Sequence, residues 1–282
     1  MRGYVLVFLA ATMWGTLGIF AKFLYEYNLS TYTIVFYRVL FAVIFLFIYL
    51  RARGIKPLIP KSKLKFYIAY GFFSIFLFYA LYFYTVKISS VSFAVLMLYT
   101  APAYSVILGK LIFKEEITPT KLLAVALVII GVLMLNSSSM KFSTLAIVTG
   151  LASGLTYSLY GVFSKIAVRE EPPEKVLFNV LLIGMIFLLP LTDFRVPIRA
   201  VPYLIALAFF PTFLGYILYN TALKTVEISK ASVIATIEPV VAMTLAFIIF
   251  GEHLTSLQIM GAGLIISGAV LVQITPSYSR QS

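Results

Sequence analysis

The chain has 282 residues, of which 62% are hydrophobic and 11% charged, with a formal net charge of +12. This composition excludes an ordinary soluble domain, because such a domain needs a far more polar surface. The sequence holds no cysteine and a single histidine, His253, which excludes disulfides and the usual zinc and haem ligand sets. It also lacks a P-loop motif, so we expect neither an ATPase nor a cofactor.

Ten apolar runs follow one another along the chain, each near the ~20 residues that a helix needs to cross a bilayer. Runs such as FAVIFLFIYL do not alternate polar and apolar residues as a transmembrane β-strand does. We therefore predict an all-α polytopic membrane protein with ten transmembrane helices. In chain order the predicted spans are Tyr4–Tyr25, Thr31–Leu50, Phe66–Val86, Val91–Phe113, Pro119–Leu135, Leu145–Ala167, Lys175–Pro190, Val201–Leu223, Ala231–Phe250 and Ser256–Ile274.

The distribution of basic residues indicates how the chain threads the membrane. Six of them crowd the loop between the second and third spans, and the positive-inside rule places that loop in the cytoplasm. Both termini then lie in the cytoplasm, with 16 of the 22 Lys and Arg on that side and residues 276–282 as a cytoplasmic tail. The net positive charge is therefore interpreted as a sign of orientation in a plasma membrane and not of a nucleic-acid partner. Binding of anionic lipid by the basic loop is the alternative interpretation. The six are Arg51, Arg53, Lys56, Lys61, Lys63 and Lys65.

The sequence matches itself at an offset of 137 residues, which pairs Pro102 with Pro239. At an offset of 143, WGTLGIFAK in the first span lies over YSLYGVFSK in the sixth. Each half holds five spans, and since five is odd, the second half enters the membrane in the opposite sense. We predict two inverted five-helix repeats, residues 1–138 and 143–275.

These features resemble the drug/metabolite transporter superfamily, EamA type, over essentially the whole chain. The resemblance rests on MWGTLGIFAK, on YR at positions 37 and 38, on YTAPAYSVILGKLIFKEEIT and on IEPVVAMTLAFIIFGEHLT. It implies a ten-helix secondary transporter whose central cavity is lined mainly by spans 1, 3, 4, 6, 8 and 9, with spans 5 and 10 packed outside. It also implies export, of a substrate that these motifs do not specify.

Ionisable residues and prolines inside the spans are candidates for binding and gating. Glu238 is the one acidic side chain deep in a span, where a charge is costly unless it faces protein or water. We interpret it as a cavity group that binds a proton or a cationic substrate group, or as a structural acceptor for backbone freed by Pro239. Arg38 lies at a similar depth and could pair with Glu238, reach the interface or hold an anionic substrate group. Pro102 and Pro239 are expected to remove a helix hydrogen bond and kink their spans for gating.

Aromatic side chains near these positions are candidate walls of a substrate site. Two tyrosine pairs lie at i, i+3 on spans 3 and 8, where each pair shares one helix face. Any single ring among so many aromatic residues more often serves packing. The candidates are Trp14, Tyr79, Tyr82, Tyr99, Tyr157, Tyr216, Tyr219 and Asn220.

Several residues fit structural roles at helix ends and helix contacts. Thr255 with Gln258 fits a capping box for the tenth span. GAGLIISG in the same span, with Gly263 and Ser267 four apart, predicts close helix packing within the scaffold or between two copies. Glu115 follows the fourth span and is interpreted as structural.

The sequence predicts a secondary transporter rather than an enzyme, working by alternating access on a small organic metabolite such as an amino acid. Its partners are that small molecule and the lipid bilayer, with protons as a candidate coupling ion. The alternatives are a facilitative exchanger or a channel-like permease. A membrane-embedded lipid enzyme is less favoured, because the scattered carboxylates and His253 form no clustered acid/base set. A monomer and a weak homodimer both fit.

Overall fold

The structure is a computed structural model, and it describes residues 1–135, 143–251 and 253–274. The expected tail at 276–282 lies outside the described residues. Within them the chain is helical and contains no strand. Nine helices are long and apolar enough to cross a membrane, and a tenth apolar helix has 17 residues. In chain order they are α1 (Arg2–Tyr25), α2 (Thr31–Ala52), α3 (Lys61–Ile88), α4 (Val91–Phe113), α5 (Pro119–Leu135), α6 (Thr144–Ala167), α7 (Pro173–Leu191), α8 (Ile198–Ala222), α9 (Ile228–Phe250) and α10 (Ser256–Ile274). The prediction of ten helices is confirmed.

Helix ends follow local capping chemistry. The hydroxyls of Ser30, Ser90 and Ser143 each accept a hydrogen bond from a backbone N–H in the first turn of α2, α4 and α6. Thr255 and Gln258 exchange hydrogen bonds between side chain and backbone at 3.0 and 3.2 Å, which confirms the predicted capping box.

Three helices are interrupted near their middle. The first, α1, divides into Arg2–Gly15 and Leu17–Tyr25; α4 divides into Val91–Leu98 and Ala101–Phe113; α9 divides into Ile228–Ala235 and Glu238–Phe250. At each break a threonine hydroxyl donates to the carbonyl three residues earlier, which satisfies part of the backbone freed there. These are Thr16, Thr100 and Thr236, with distances of 2.6, 2.6 and 2.5 Å.

The prolines act differently from the prediction. We expected Pro102 and Pro239 to remove a hydrogen bond from a continuous helix. Each instead lies in the first turn of the second helical segment of its span. Backbone N–H groups in a first turn have no intrahelical partner, so proline costs little there. Each helix is therefore broken within the turn before its proline, where the ring meets the preceding carbonyl, rather than kinked along a continuous helix.

The other two distorted helices, α3 and α8, contain π-helical turns at matching places, Phe72–Leu77 and Ala208–Leu214. Pro211 lies inside the second turn, whereas the first contains no proline. The distortion therefore belongs to both halves of the chain and does not depend on Pro211.

Helix packing exchanges between the two halves of the chain. Helix α1 packs on α8 and α9, while α6 packs on α3 and α4. Helix α2 packs on α7, and α5 on α10. If each of the first five helices is replaced by its counterpart five places later, and the reverse, the contacts of α1 become those of α6. The α2–α7 and α5–α10 contacts stay the same under this replacement. This pattern supports the predicted pair of five-helix repeats, whose boundaries and opposite sense stay predictions.

Helices α5 and α10 pack with their backbones in close approach. A Cβ at Gly131 would lie 2.6 Å from the carbonyl oxygen of Gly261, and one at Gly268 would lie 2.8 Å from that of Ala124. The predicted close packing in α10 is therefore present, but on another face, because a Cβ at Gly263 would meet nothing within 4 Å. Large apolar side chains elsewhere on these helices are exposed, as lipid-facing surfaces require.

The loops define two faces. We call the face with loops 26–30 and 89–90 the mouth face, and the face with loops 53–60, 114–118, 168–172 and 223–227 the closed face. Successive helices run from one face to the other. The two helix ends that a loop joins therefore lie at the same face as that loop.

Candidate functional site

A cavity of about 330 Å³ opens between the helices at the mouth face. Its rim carries Tyr25, Thr31 and Val91, which lie where α1 ends and where α2 and α4 begin. Its wall reaches Trp14 and Glu238, near the middle of α1 and α9. None of the described residues in the closed-face loops lines it, so the described lining reaches the mouth face alone.

Seven of the twelve candidate residues line this cavity. Helices α1, α3, α4, α6, α8 and α9 contribute to the wall, as the resemblance implies, and α2 contributes as well. The described residues of α5 and α10 do not. The seven are Trp14, Arg38, Tyr79, Tyr82, Tyr157, Tyr216 and Glu238.

Two of the remaining tyrosines lie next to the cavity rather than in its wall. Tyr99, at the break in α4, is buried and lies near Glu238. Tyr219 lines a second, smaller cavity of about 20 Å³ that shares Trp14 with the first. Both residues can therefore shape the site through the side chains that they contact.

Asn220 lies outside the cavity wall, between α6 and α8. It is fully buried, and its Oδ1 accepts hydrogen bonds from the Tyr160 hydroxyl at 3.0 Å and the Ser164 hydroxyl at 2.7 Å. Tyr216, Tyr219 and Asn220 are spaced i, i+3 and i+4 along α8, so the sequence predicts that they lie on about the same helix face. That spacing could not show that Asn220 faces α6 rather than the cavity. Its contacts are those of a polar group that fixes helix packing.

Arg38 is held in the cavity wall by Tyr79. Its Nη2 donates to the Tyr79 hydroxyl at 2.5 Å, and its Cζ lies 5.4 Å from the centre of the same ring. Only 7% of the residue is exposed, and its Nε has no hydrogen-bond partner. Arg38 forms no ion pair with Glu238 in the described structure, so the direct pairing considered from the sequence does not occur.

Glu238 is positioned by the break in α9. It is the first residue of the second helical segment, where backbone N–H groups point toward the preceding turn and favour a negative charge. Helix α1 approaches closely here: a Cβ at Gly15 would lie 2.6 Å from Val241 and 3.1 Å from the carbonyl oxygen of Glu238. Glycine at position 15 thus allows α1 to support this part of the wall.

The floor of the cavity is aromatic. The Trp14 ring lies 5.1 Å from both Tyr216 and Tyr219, in tilted arrangements that aromatic pairs favour. A Cβ at Gly215 would lie 2.9 Å from Trp14 Nε1, so this glycine leaves room for the indole. The indole N–H has no partner within the protein and borders the cavity.

On the closed face, Glu115 joins the two halves of the chain. Its carboxylate accepts hydrogen bonds from the backbone N–H groups of Ile228 and Ser229, at 2.8 and 3.2 Å, and from the Ser229 hydroxyl at 2.6 Å. It therefore caps the N-terminus of α9 from the loop between α4 and α5. Gly109 leaves the space for it, since a Cβ there would lie 2.6 Å from Glu115 Oε2.

Further charged residues surround this cap. Lys165 Nζ lies 3.9 Å from Glu115 Oε1 and donates to the carbonyl of Val226. Lys121, which is 1% exposed, pairs with Glu227 at 2.8 Å. We call Glu115, Lys121, Lys165 and Glu227 the closed-face cluster. The sequence marked Glu115 as structural but offered no signal for the rest, because the partners come from four different parts of the chain.

Among the described residues, no group of three or more His, Asp or Glu side chains could hold a metal ion. The charged groups at the cavity are Arg38 and Glu238, and the remaining described lining is aromatic, aliphatic or hydroxylic. This arrangement is suited to binding and orienting a small molecule, and its described lining supplies no paired acid and base for bond cleavage.

Comparison with known proteins identifies the family. A sequence model of the EamA-like transporter family matches residues 1–137 and 144–274. The chain belongs to the EamA-like transporter family. It is a membrane transporter for small molecules and not an enzyme.

Similar proteins agree with this membership. An uncharacterised transporter of Archaeoglobus fulgidus is 31% identical, over 70% of this chain and 72% of its own. A probable amino-acid metabolite efflux pump of Salmonella typhimurium is 27% identical, over 74% of this chain and 76% of its own. A probable terminal-alkyne amino-acid exporter of Streptantibioticus cattleyicolor is 25% identical, over 64% and 63%. A crystal structure covering 96% of both chains has a TM-score of 0.86 at 17% identity, and this likeness shows the fold alone.

Proposed function

We propose that this EamA-like transporter exports small organic metabolites such as amino acids by alternating access, without hydrolysing ATP. The cavity between the two halves is the binding site in its mouth-open state. The names of the Salmonella typhimurium and Streptantibioticus cattleyicolor relatives support an amino-acid-like substrate. We further propose a plasma-membrane location with both termini in the cytoplasm, so that the mouth face is extracellular.

The observation that carries this proposal is that the lining of the cavity reaches the mouth face and includes no described residue of the closed-face loops. A channel needs a continuous path, whereas a carrier needs a site that reaches one side at a time. Here the seal includes the closed-face cluster, in which Glu115 ties the loop after α4 to the first turn of α9. Opening the closed face requires that these contacts separate.

The broken helices α4 and α9 supply the moving parts. The breaks at 99–100 and 236–237 lie between the cavity and the closed-face cluster, and Pro102 and Pro239 are the second residues of the helical segments that follow them. A non-helical joint absorbs a change of angle at lower cost than a continuous helix. We assign gating to these joints, with the prolines fixing where each second segment starts.

Glu238 is the candidate for coupling. It lies both in the cavity wall and at the joint of α9, so a proton or a cationic group bound there acts on the joint directly. If a proton and the substrate compete for this carboxylate, each leaves as the other binds, and the two move in opposite directions. Proton-dependent export follows from that competition.

Counterflow in proteoliposomes tests the proposal. Vesicles loaded with an unlabelled amino acid take up the labelled compound faster than empty vesicles if the protein is a carrier. Uptake at equal rates in both, together with single-channel conductance, would instead establish a channel-like permease. Glu238→Gln is expected to exchange substrate only at raised substrate concentration and without dependence on a pH gradient, with Glu116→Gln in the exposed closed-face loop as the control.

The orientation can be measured with single cysteines, because the natural chain contains none. Gly18 lines the cavity and has open space around a Cβ, so Gly18→Cys is accommodated without strain. A membrane-impermeant thiol reagent added outside intact cells is expected to label it. Labelling only in inverted vesicles would reverse the proposed orientation, and Gly263→Cys, also in open space, serves as the lipid-facing control.

A further inference from the structure

The cavity presents two opposite charges that are not joined to each other. Arg38 and Glu238 are its charged lining residues within the described chain, and no ion pair links them. Buried charges are costly unless they are paired, and Arg38 is 93% buried with only Tyr79 as a hydrogen-bond partner. A ligand that enters the cavity can therefore neutralise the charges of Arg38 and Glu238.

The Arg38 end of the cavity suits a carboxylate. A guanidinium has five N–H donors in a planar fork that matches the two oxygens of a carboxylate. One donor of Arg38 is used by Tyr79, and its buried Nε is unpartnered. The hydrogen bond to the Tyr79 hydroxyl places Cζ of Arg38 5.4 Å from the centre of that ring, which restricts the orientation of the guanidinium before a ligand arrives.

The Glu238 end suits an ammonium group. The carboxylate shares the cavity with the rings of Trp14, Tyr82, Tyr157 and Tyr216, whose faces attract cations. An ammonium placed there gains both an ion pair and ring contacts. An anionic group would instead meet a negative carboxylate and negative ring faces.

The rest of the wall is apolar. Phe78, Phe83, Leu98 and Leu207 line it and provide no partner for a further charge. The volume of about 330 Å³ exceeds that of any single amino acid side chain with its backbone, so water accompanies a small ligand. A molecule with one carboxylate, one ammonium and an uncharged side chain neutralises both charges and leaves none of its own unpaired.

We infer that the cavity binds an amino acid with an uncharged side chain as its zwitterion, the carboxylate on Arg38 and the ammonium on Glu238. This inference rests on the proposed function and specifies the substrate of the same site. It predicts weaker binding of the amine that lacks the carboxylate and of the acid that lacks the ammonium group. The amine leaves Arg38 without a partner in the cavity, and the acid leaves Glu238 without one.

The experiment is a three-compound comparison on the purified full chain. The uncharged amino acids are screened by their effect on the melting temperature, since a ligand of the folded state stabilises it. The amino acid that binds most tightly is then compared with its decarboxylated amine and its deaminated acid by calorimetry. We expect the zwitterion to bind about thirtyfold or more tighter than either, the penalty of losing one partner of a buried charge pair.

Two variants assign each charge to its residue. Arg38→Gln is expected to weaken the zwitterion and the acid while the affinity for the amine stays the same. Glu238→Gln is expected to weaken the zwitterion and the amine while the affinity for the acid stays the same. Arg38→Lys and Glu238→Asp keep the charges and should recover part of the affinity, and the melting temperatures without ligand report folding.

Three outcomes would overturn the inference. They are binding of no uncharged amino acid, equal binding of all three compounds by the natural chain, and the reverse pattern in the two variants. The first two need no variant, so they decide the matter even if a variant fails to fold. Counterflow of a different class of metabolite with no amino acid binding would overturn this inference while leaving the proposed alternating access intact. Absence of counterflow would overturn the proposed function instead.

Discussion

The cavity and the closed-face cluster both place acidic and basic side chains inside an apolar protein, with opposite results. In the cluster, Glu115 is satisfied by two backbone N–H groups, a hydroxyl and a nearby lysine. In the cavity, Arg38 has the Tyr79 hydroxyl as its hydrogen-bond partner, and no ion pair joins it to Glu238 within the described chain. The difference teaches that a buried charge in a membrane protein is structural when the protein completes its contacts and functional when it does not.

The largest expected effect comes from removing the carboxylate of the cluster. Glu115→Ala leaves two N–H groups of α9 without their acceptor and Lys165 without its ion-pair partner, and breaking a buried pair in this way costs about 3–5 kcal/mol. Thermal unfolding in detergent measures the loss. Its exposed neighbour is the control, since Glu116→Ala is expected to change stability by about 0.5 kcal/mol or less. Equal losses for the two variants would contradict the role given to Glu115.

The next effect tests how tightly the cavity region is packed. Gly15→Ala places a Cβ 2.6 Å from Val241 and forces α1 away from α9, with an expected cost of about 1–3 kcal/mol. Gly263→Ala in α10 has open space and gains helix propensity instead, by up to about 1 kcal/mol. Melting temperatures that move in opposite directions confirm the close approach beside Glu238. A stabilising Gly15→Ala would show that α1 does not support the wall.

Glu171, at the edge of the closed face, is a carboxylate that the protein pairs close to water. It tests whether such pairing stabilises the fold there as well. Glu171 bonds to Lys63 at 2.7 Å and to Lys175 at 2.9 Å. Burial alone raises the pKa of Glu171, but the hydrogen bonds from the two lysines outweigh it and the pKa lies below its ordinary value. Because the pKa is lower in the folded chain, this group stabilises the fold above the unfolded value of about 4.3. That contribution is lost as the pH falls through the folded pKa.

Glu171→Gln is therefore expected to lower stability at neutral pH by about 1–2 kcal/mol, and the deficit should shrink toward acidic pH. Melting curves across a pH series measure it. The adjacent Glu170 has a side chain that is 68% exposed and a single pair with Lys63 at 3.0 Å, so Glu170→Gln should show a smaller deficit. A deficit that grows in acid would mean that the pKa is raised instead.

The smallest effect on stability is expected at the cavity carboxylate. Glu238→Gln removes a charge that the protein itself leaves incompletely paired, so stability without ligand should change by about 0.5 kcal/mol or less. Unfolding in detergent, beside Glu115→Ala under the same conditions, measures the contrast between the two regions. A loss as large as that of Glu115→Ala would make Glu238 a structural acceptor, the alternative that the sequence left open.

Much of the cavity was predictable because its signal is local. A charged residue or a tyrosine pair in an apolar run has few places to go, so Arg38, Glu238, Tyr79 and Tyr216 could be expected to meet inside the protein. The role of Glu115 was not predictable in the same way. Its hydrogen-bond partners Ile228 and Ser229 lie more than a hundred residues further along the chain, and nothing near position 115 specifies which helix end it will cap.

The prolines show the same division between local signal and packing. The repeat pairs Pro102 with Pro239 and points to related irregularities in two helices, but proline is compatible both with a kink inside a helix and with the first turn of a new one. Only the arrangement of α4 and α9 around the cavity selects the second. Likewise, the contribution of α2 to the wall depends on where Arg38 and its neighbours face once the bundle is packed.

The amino-acid sequence by itself determined the number of helices, the chemical character of the cavity and the internal match between the halves, because hydrophobic length, intramembrane charge and repetition are properties of the chain alone. The tertiary structure decided which face the cavity reaches, which carboxylate the protein itself completes and which one lines the cavity. Those outcomes depend on contacts between distant helices, and a contact exists only when the whole bundle has formed.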